Sequence, residues 1–159
     1  MFYAKNIKRL IISERVNITR RFEKCPLIEQ HVLEYSEEVT AKLSETIAYT
    51  DVPLDCRFSR IRTEETQLGN FVADIIRTET DADFAVVNGG CLRANIVYPS
   101  GPLLLRFMDQ VIPGVDTIVR LRLSGHLILD MLENGVSKYP QYEGRFLQVS
   151  GFKFKFDPN

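Results

Sequence analysis

A chain of 159 residues suits one domain and leaves little room for a second. Its hydrophobic fraction of 45% and charged fraction of 26% are ordinary, and 20 basic against 21 acidic side chains leave a formal net charge of -1. Without a basic cluster that balance excludes the electrostatic footprint of a nucleic-acid binder, and no stretch reaches the roughly 20 apolar residues of a membrane span.

The first residues, Met1 to Arg9, lead into a brief apolar run, Leu10-Ile11-Ile12. A secretory apolar region is longer, about 7–15 residues, so the expected location is cytoplasmic. The three cysteines, Cys25, Cys56 and Cys91, are far apart and odd in number, which predicts reduced thiols rather than a disulfide framework. Val16-Asn17-Ile18-Thr19 alternates like a short strand. Pro26 then stands where a helix favours its first residue. Ile28, Val32, Tyr35, Val39 and Leu43 follow at steps of three and four, one apolar stripe on a helix that packs along the edge of something larger.

A strand is expected at Thr46–Val52, ended by Pro53. Gln67–Thr80 reads as a helix with Leu68, Val72, Ile75 and Ile76 inward, and Glu64, Glu65 and Thr66 at its electropositive start. Asp83–Val87 is a buried strand running into Asn88-Gly89-Gly90, where paired glycines allow a tight turn and close approach to a ligand. A short helix is expected over residues 103–111. Thr117–Leu123 alternates as a strand, with Val119, Leu121 and Leu123 on one face. Ser124 caps the next helix, which ends at Asn134-Gly135. Phe146–Val149 and Phe152–Phe156 complete the strands, the second with Phe152, Phe154 and Phe156 opposite Lys153 and Lys155. Strands alternating with helices define an α/β chain, an α+β mixed sheet with covering helices.

Arg62-Thr63-Glu64-Glu65-Thr66-Gln67-Leu68-Gly69-Asn70, Asp74 and Asn88-Gly89-Gly90-Cys91-Leu92-Arg93 stand in a recognisable order. Leu123-Ser124-Gly125, Leu132-Glu133-Asn134-Gly135-Val136 and Gly144-Arg145-Phe146-Leu147-Gln148-Val149-Ser150-Gly151 extend it. Together they resemble the C-terminal domain of the 5′-nucleotidase family over roughly residues 26–159. The resemblance implies a domain that binds the nucleoside end of a substrate and rotates to deliver it. Hydrolysis in the family belongs to a separate metallophosphatase domain holding two divalent metals. Residues 26–45 resemble the connecting helix, which divides the chain into an extension (1–25), a linker-like helix and strand (26–50) and the domain proper (51–159).

The same resemblance assigns substrate contacts to Arg62, Asn88 and Arg93, with Gly89 and Gly90 keeping the loop close to the ligand. A guanidinium suits ribose or phosphate oxygens, and an amide both donates and accepts. By residue type alone, the arginines are ordinary surface ion-pair partners and Asn88 is a turn residue.

Three features depart from the family pattern. Ile112-Pro113-Gly114 stands where the family reads Leu-Pro-Phe, whose ring stacks on the base. The family domain continues beyond the Phe156–Asn159 stretch, with a second stacking aromatic and a glycine–aspartate loop, so an uncovered sheet edge is expected. Paired metals need a cluster of ligands, whereas the only histidines are His31 and His126, neither in a ligand motif. The expectation is therefore an incomplete nucleotide-binding domain, not catalytic by itself and with no cofactor of its own. The alternative is a degenerate domain kept as a structural or interaction subunit of a larger assembly, and a protein partner fits either.

Overall fold

The computed structural model describes residues 12–114 and 116–158. Leu10 and Ile11 of the early apolar run lie outside them. The described residues form two units, one ending at Val39 and the other beginning at Thr40.

In the first unit the strand expected at Val16–Thr19 is absent. Those residues are irregular and exposed, with no neighbouring strand among the described residues of the unit to take their backbone groups. Pro26 opens helix α1 (Pro26–Leu43) as expected, since its missing N–H has no partner in a first turn anyway. Glu29 in that turn suits the helix dipole and accepts from Lys24 Nζ at 2.6 Å. The apolar stripe buries little: α1 has no buried residue, and Tyr35 is 70% exposed.

The second unit holds β1 (Thr46–Thr50), β2 (Leu54–Asp55), α2 (Phe58–Ile61), α3 (Gln67–Thr80) and β3 (Ala85–Asn88). After a 3-10 turn at Gly89–Cys91 come β4 (Val97–Tyr98), β5 (Gly101–Leu104), α4 (Leu105–Val111), α5 (Gly125–Val136) and β6 (Leu147–Ser150). The α/β class is as read. The strands pair two by two in antiparallel ladders, β1 with β5, β2 with β4 and β3 with β6. Helix α3 has the predicted bounds. Its Thr66 cap accepts from Gly69 N–H at 3.1 Å, satisfying one of the amides that a helix start leaves unpaired.

Leu54, Cys56, Ile61, Leu68, Val72, Leu92, Leu103, Phe107 and Val111 form the core. Phe107 takes edge contacts from both Phe71 and Tyr98, at 6.3 and 4.8 Å between ring centroids. Of the expected inward face of α3, Leu68 and Val72 are buried while Ile75 is exposed.

Ser124 caps α5 by accepting from Leu127 N–H. The helix does not stop at Asn134-Gly135 but continues to Val136. Gly135 is a packing glycine, since a Cβ there would lie 3.1 Å from Leu147 Cγ. The segment Thr117–Leu123 has no strand partner among the described residues, and Val119 and Leu121 are 68% and 69% exposed. Alternation sets which side chains share a face, but a strand also needs a neighbour to accept its hydrogen bonds. Residues 152–156 likewise form no ladder. Their predicted sidedness is nevertheless present, with the phenylalanines half-buried and the lysines exposed. Phe152 meets Phe84 at 5.2 Å, and Phe156 meets Tyr139 at 5.1 Å.

All three cysteines are free, with Cys25 exposed, Cys91 partly covered and Cys56 fully buried. Burial pushes the Cys56 thiol above its ordinary value, and the thiolate is the reactive form. Alkylation of the native protein is therefore expected to label Cys25 first, Cys91 more slowly and Cys56 only after denaturation. Peptide mass spectrometry reads the order, and early labelling of Cys56 would contradict the core described above.

Candidate functional site

Two segments of the second unit meet at the end of the β3–β6 ladder. Val87 pairs with Gln148 and Asn88 with Leu147. Past the strand end the contact continues, because Gly89 N–H donates to Phe146 O at 2.7 Å and Gly90 N–H to Gly144 O at 2.9 Å. Asn88 Nδ2 shares the Gly144 carbonyl at 3.1 Å, and Asn88 Oδ1 accepts from the Cys91 thiol at 2.9 Å. The loop is dense: a Cβ on Gly90 would lie 2.9 Å from Gly144 Cα.

Arg62 stands at the C-cap of α2. Its Nη1 donates to Tyr142 O at 3.0 Å, and its guanidinium carbon lies 3.9 Å from the centre of the Phe58 ring. Arg93 follows the glycine turn and is anchored by its own backbone, N–H to Val111 O at 2.9 Å. Its Nη1 donates to Gly90 O at 3.3 Å, and its guanidinium carbon is 5.9 Å from the same Phe58 ring. Both distances are within cation–π range. Phe58 is fixed in turn, since its N–H donates to Asn95 Oδ1 at 2.9 Å. Asn95 holds a left-handed backbone conformation, φ 52°, which asparagine tolerates better than most residues.

Sequence reading brought Arg62, Asn88, Gly89, Gly90 and Arg93 together by resemblance, and the structure places all of them around one loop. It missed Phe58, the platform beneath the arginines. The Phe58–Arg62 spacing of four along a helical turn carries that signal. The alternative of ordinary surface ion pairing does not describe this arrangement. Among the described residues neither Arg62 nor Arg93 has a carboxylate partner, whereas Arg57, Arg60 and Arg145 each have one. Burial lowers the Arg62 guanidinium's proton affinity, and the like charge of Arg93 acts in the same direction. Arg62 Nε is shielded from solvent without an acceptor. Two cations held close without a counter-charge favour an anionic or oxygen-rich ligand.

His31 and His126 are exposed and each faces a single carboxylate, Glu34 at 3.8 Å and Asp130 at 3.5 Å. Among the described residues no group of three or more His, Cys, Asp or Glu is placed to hold a metal ion. The side chains described thus do not fit the paired metals of the family's hydrolytic domain, and no step through a metal is assigned to them. Among the described residues no helix is long and apolar enough to cross a membrane.

The family described as 5′-nucleotidase, C-terminal domain, matches residues 46–159. The trifunctional nucleotide phosphoesterase protein YfkN of Bacillus subtilis (strain 168) is 34% identical over 146 residues, covering 89% of this chain and 10% of that protein. A 5′-nucleotidase of Vibrio cholerae serotype O1 is 27% identical over 139 residues, covering 87% of this chain and 25% of its own length. The crystal structure of a 5′-nucleotidase precursor from Thermus thermophilus superposes with a TM-score of 0.64 at 31% identity, over 79% of this chain and 25% of that one. This chain belongs to the 5′-nucleotidase family as a C-terminal domain, and it spans a quarter or less of these relatives.

Proposed function

We propose that this chain is a nucleotide- or nucleoside-binding domain of a 5′-nucleotidase-like hydrolase, with hydrolysis carried out by a metallophosphatase domain outside it. One observation carries the reading: Arg62 and Arg93 bring two guanidiniums to the Phe58 ring beside the Asn88–Gly90 loop without a carboxylate partner among the described residues. Planar forks of this kind match phosphate and ribose oxygens. Asn88 uses one N–H and one acceptor position within the loop, which leaves one of each for a ribose hydroxyl or base nitrogen. The names of the relatives, a nucleotide phosphoesterase and a 5′-nucleotidase, make a nucleotide the ligand to try first. In this reading residues 51–159 are the binding domain, 26–50 its linker and 1–25 an extension.

The test is a titration of the chain with AMP and with adenosine, followed in amide NMR spectra. Shifts centred on Asn88–Arg93 and Arg62 support the reading, and a dispersed spectrum unmoved by millimolar ligand ends it. Affinity is expected to be modest because Gly114 offers no ring to the base, and a base–aromatic stack contributes about 1–3 kcal/mol. Gly114 is exposed, and a Cβ there meets nothing nearer than Asp116 Oδ2 at 3.9 Å. Gly114→Phe is thus expected to tighten adenosine binding by roughly tenfold. Unchanged affinity in calorimetry would remove base stacking from this position.

A second reading, a degenerate domain retained as an interaction subunit, is favoured by a different observation. Ile118, Val119 and Leu121 lie 57–69% exposed on a segment without a strand partner among the described residues. Such a segment can pair with a strand supplied by another chain. A monomeric, cooperatively folding chain in analytical ultracentrifugation and thermal melts would count against it.

A further inference from the structure

We infer that Gln148 is a positioning residue that sets Arg62 against the glycine-rich loop, an inference that builds on the ligand-binding reading above. Gln148 lies on β6 and is 1% exposed. Its Oε1 accepts from Thr66 N–H at 3.1 Å, and its Nε2 donates to Ile61 O at 2.9 Å and to Glu64 O at 2.7 Å. A carboxamide has two N–H donors and two acceptor positions, so both donors are committed to backbone carbonyls on either side of Arg62. The Thr63 and Glu64 amides bond back to Arg60 O, so they do not hold this connection against β6. The Gln148 side chain supplies that tie.

The same strand fixes the other half of the site by its backbone. Val87 pairs directly with Gln148, Asn88 with Leu147, and Gly89 N–H is bound by Phe146 O. One short strand thus holds Asn88–Gly90 through its main chain and Arg62 through one side chain, and their separation is set by the length of a glutamine. The fold makes room for it. A Cβ at Gly69 would lie 2.0 Å from Gln148 Oε1 and 2.5 Å from its Cγ, so the carboxamide occupies a slot that only glycine leaves open. Gly69 stands in the first turn of α3, its N–H capped by Thr66, and any side chain there would displace the carboxamide.

An ordinary core hydrogen bond would stabilise the fold without controlling Arg62, and one side-chain signal separates the two roles. With its guanidinium 3.9 Å from the Phe58 ring, the Arg62 Nε–Hε resonance is moved by the ring current away from the position of a solvent-exposed arginine. Gln148→Met keeps a long unbranched side chain and removes all three hydrogen bonds. In folded Q148M the Arg62 resonance is expected to return to the exposed-arginine position, and the AMP dissociation constant to rise about tenfold. A folded Q148M with the wild-type Arg62 resonance overturns the inference. Should Q148M lose its dispersed amide spectrum, Gln148→Glu is read in the same way, because a carboxyl keeps the acceptor for Thr66 and, held protonated by burial beside two carbonyls, offers at most one donor for the two. If the wild-type chain does not bind AMP, the ligand reading fails by itself. The Arg62 resonance still decides whether Gln148 positions that side chain.

Discussion

Arg93→Ala is expected to weaken AMP binding by roughly ten- to a hundredfold while leaving the ligand-free protein at least as stable as before. Hydrogen bonds to a charged group contribute about 1.5–3 kcal/mol each, which sets the affinity loss. The stability half of the result follows from the site's electrostatics. Arg93 is exposed, its side chain donates only to the Gly90 carbonyl of its own loop at 3.3 Å, its contact with the Phe58 ring is at the far edge of cation–π range at 5.9 Å, and it has no carboxylate partner among the described residues. Its charge opposes that of Arg62, so its removal relieves a like-charge contact. Arg62→Ala differs. It should lose a similar share of affinity and also destabilise the fold, since Arg62 packs on Phe58 and donates to Tyr142 O.

Calorimetry with AMP, paired with thermal melts of the unliganded variants, separates the two arginines. A surface residue of no functional consequence would change neither measurement, and an R93A protein with wild-type affinity would remove Arg93 from the site. The pH dependence has a defined sign as well. A guanidinium as a class does not titrate near neutral pH, whereas a phosphate monoester loses its second proton near pH 6, by analogy with phosphorylated side chains. AMP should therefore bind more tightly as pH rises from about 5 to 7. Adenosine, lacking the phosphate, should show no such rise.

How much of this was legible in the sequence depended on the kind of physical signal involved. Helix α3 could be read to its ends because its apolar period and its Thr66 cap agree. The paired glycines marked Asn88–Arg93 as a turn after a strand, while its link to Arg62 came only from the family resemblance. Phe152, Phe154 and Phe156 showed their sidedness by alternation, and it is present even though no ladder forms there. Alternation could not reveal whether Thr117–Leu123 has a partner, because pairing is a property of two segments. Phe58 and Gln148 were hidden for a related reason. Neither has a distinctive residue type: the spacing of four marks Phe58 only as a neighbour of Arg62, while its second guanidinium, Arg93, and the Gln148 partners Ile61 and Glu64 lie far along the chain.

Gly89→Ala is expected to cost about 2 kcal/mol of stability and, for a chain of this length, to lower the melting temperature by roughly 4–8 °C. The sequence reading attributed the glycine to a tight turn and to close approach of the loop to a ligand. The structure gives a different cause, because Gly89 is not among the positive-φ residues described. What it needs is space. A Cβ at this position would lie 2.6 Å from Ile61 O and 3.4 Å from Arg62 Cγ. The first of these neighbours is backbone and cannot rotate away, and the same carbonyl accepts from Gln148 Nε2. Relief requires the α2 end to move off the loop, carrying Arg62 with it. G89A should therefore lose AMP affinity together with stability, and the Arg62 side-chain resonance should shift as in Q148M. Gly125→Ala is the control: a Cβ there meets nothing within 4 Å, at the first position of α5. Reduced backbone freedom in the unfolded chain should make G125A neutral or stabilising, by up to about 1 kcal/mol. A G89A protein melting with wild type would show that the α2–loop contact is looser than these distances require, and Arg62 would then have no fixed place beside Asn88.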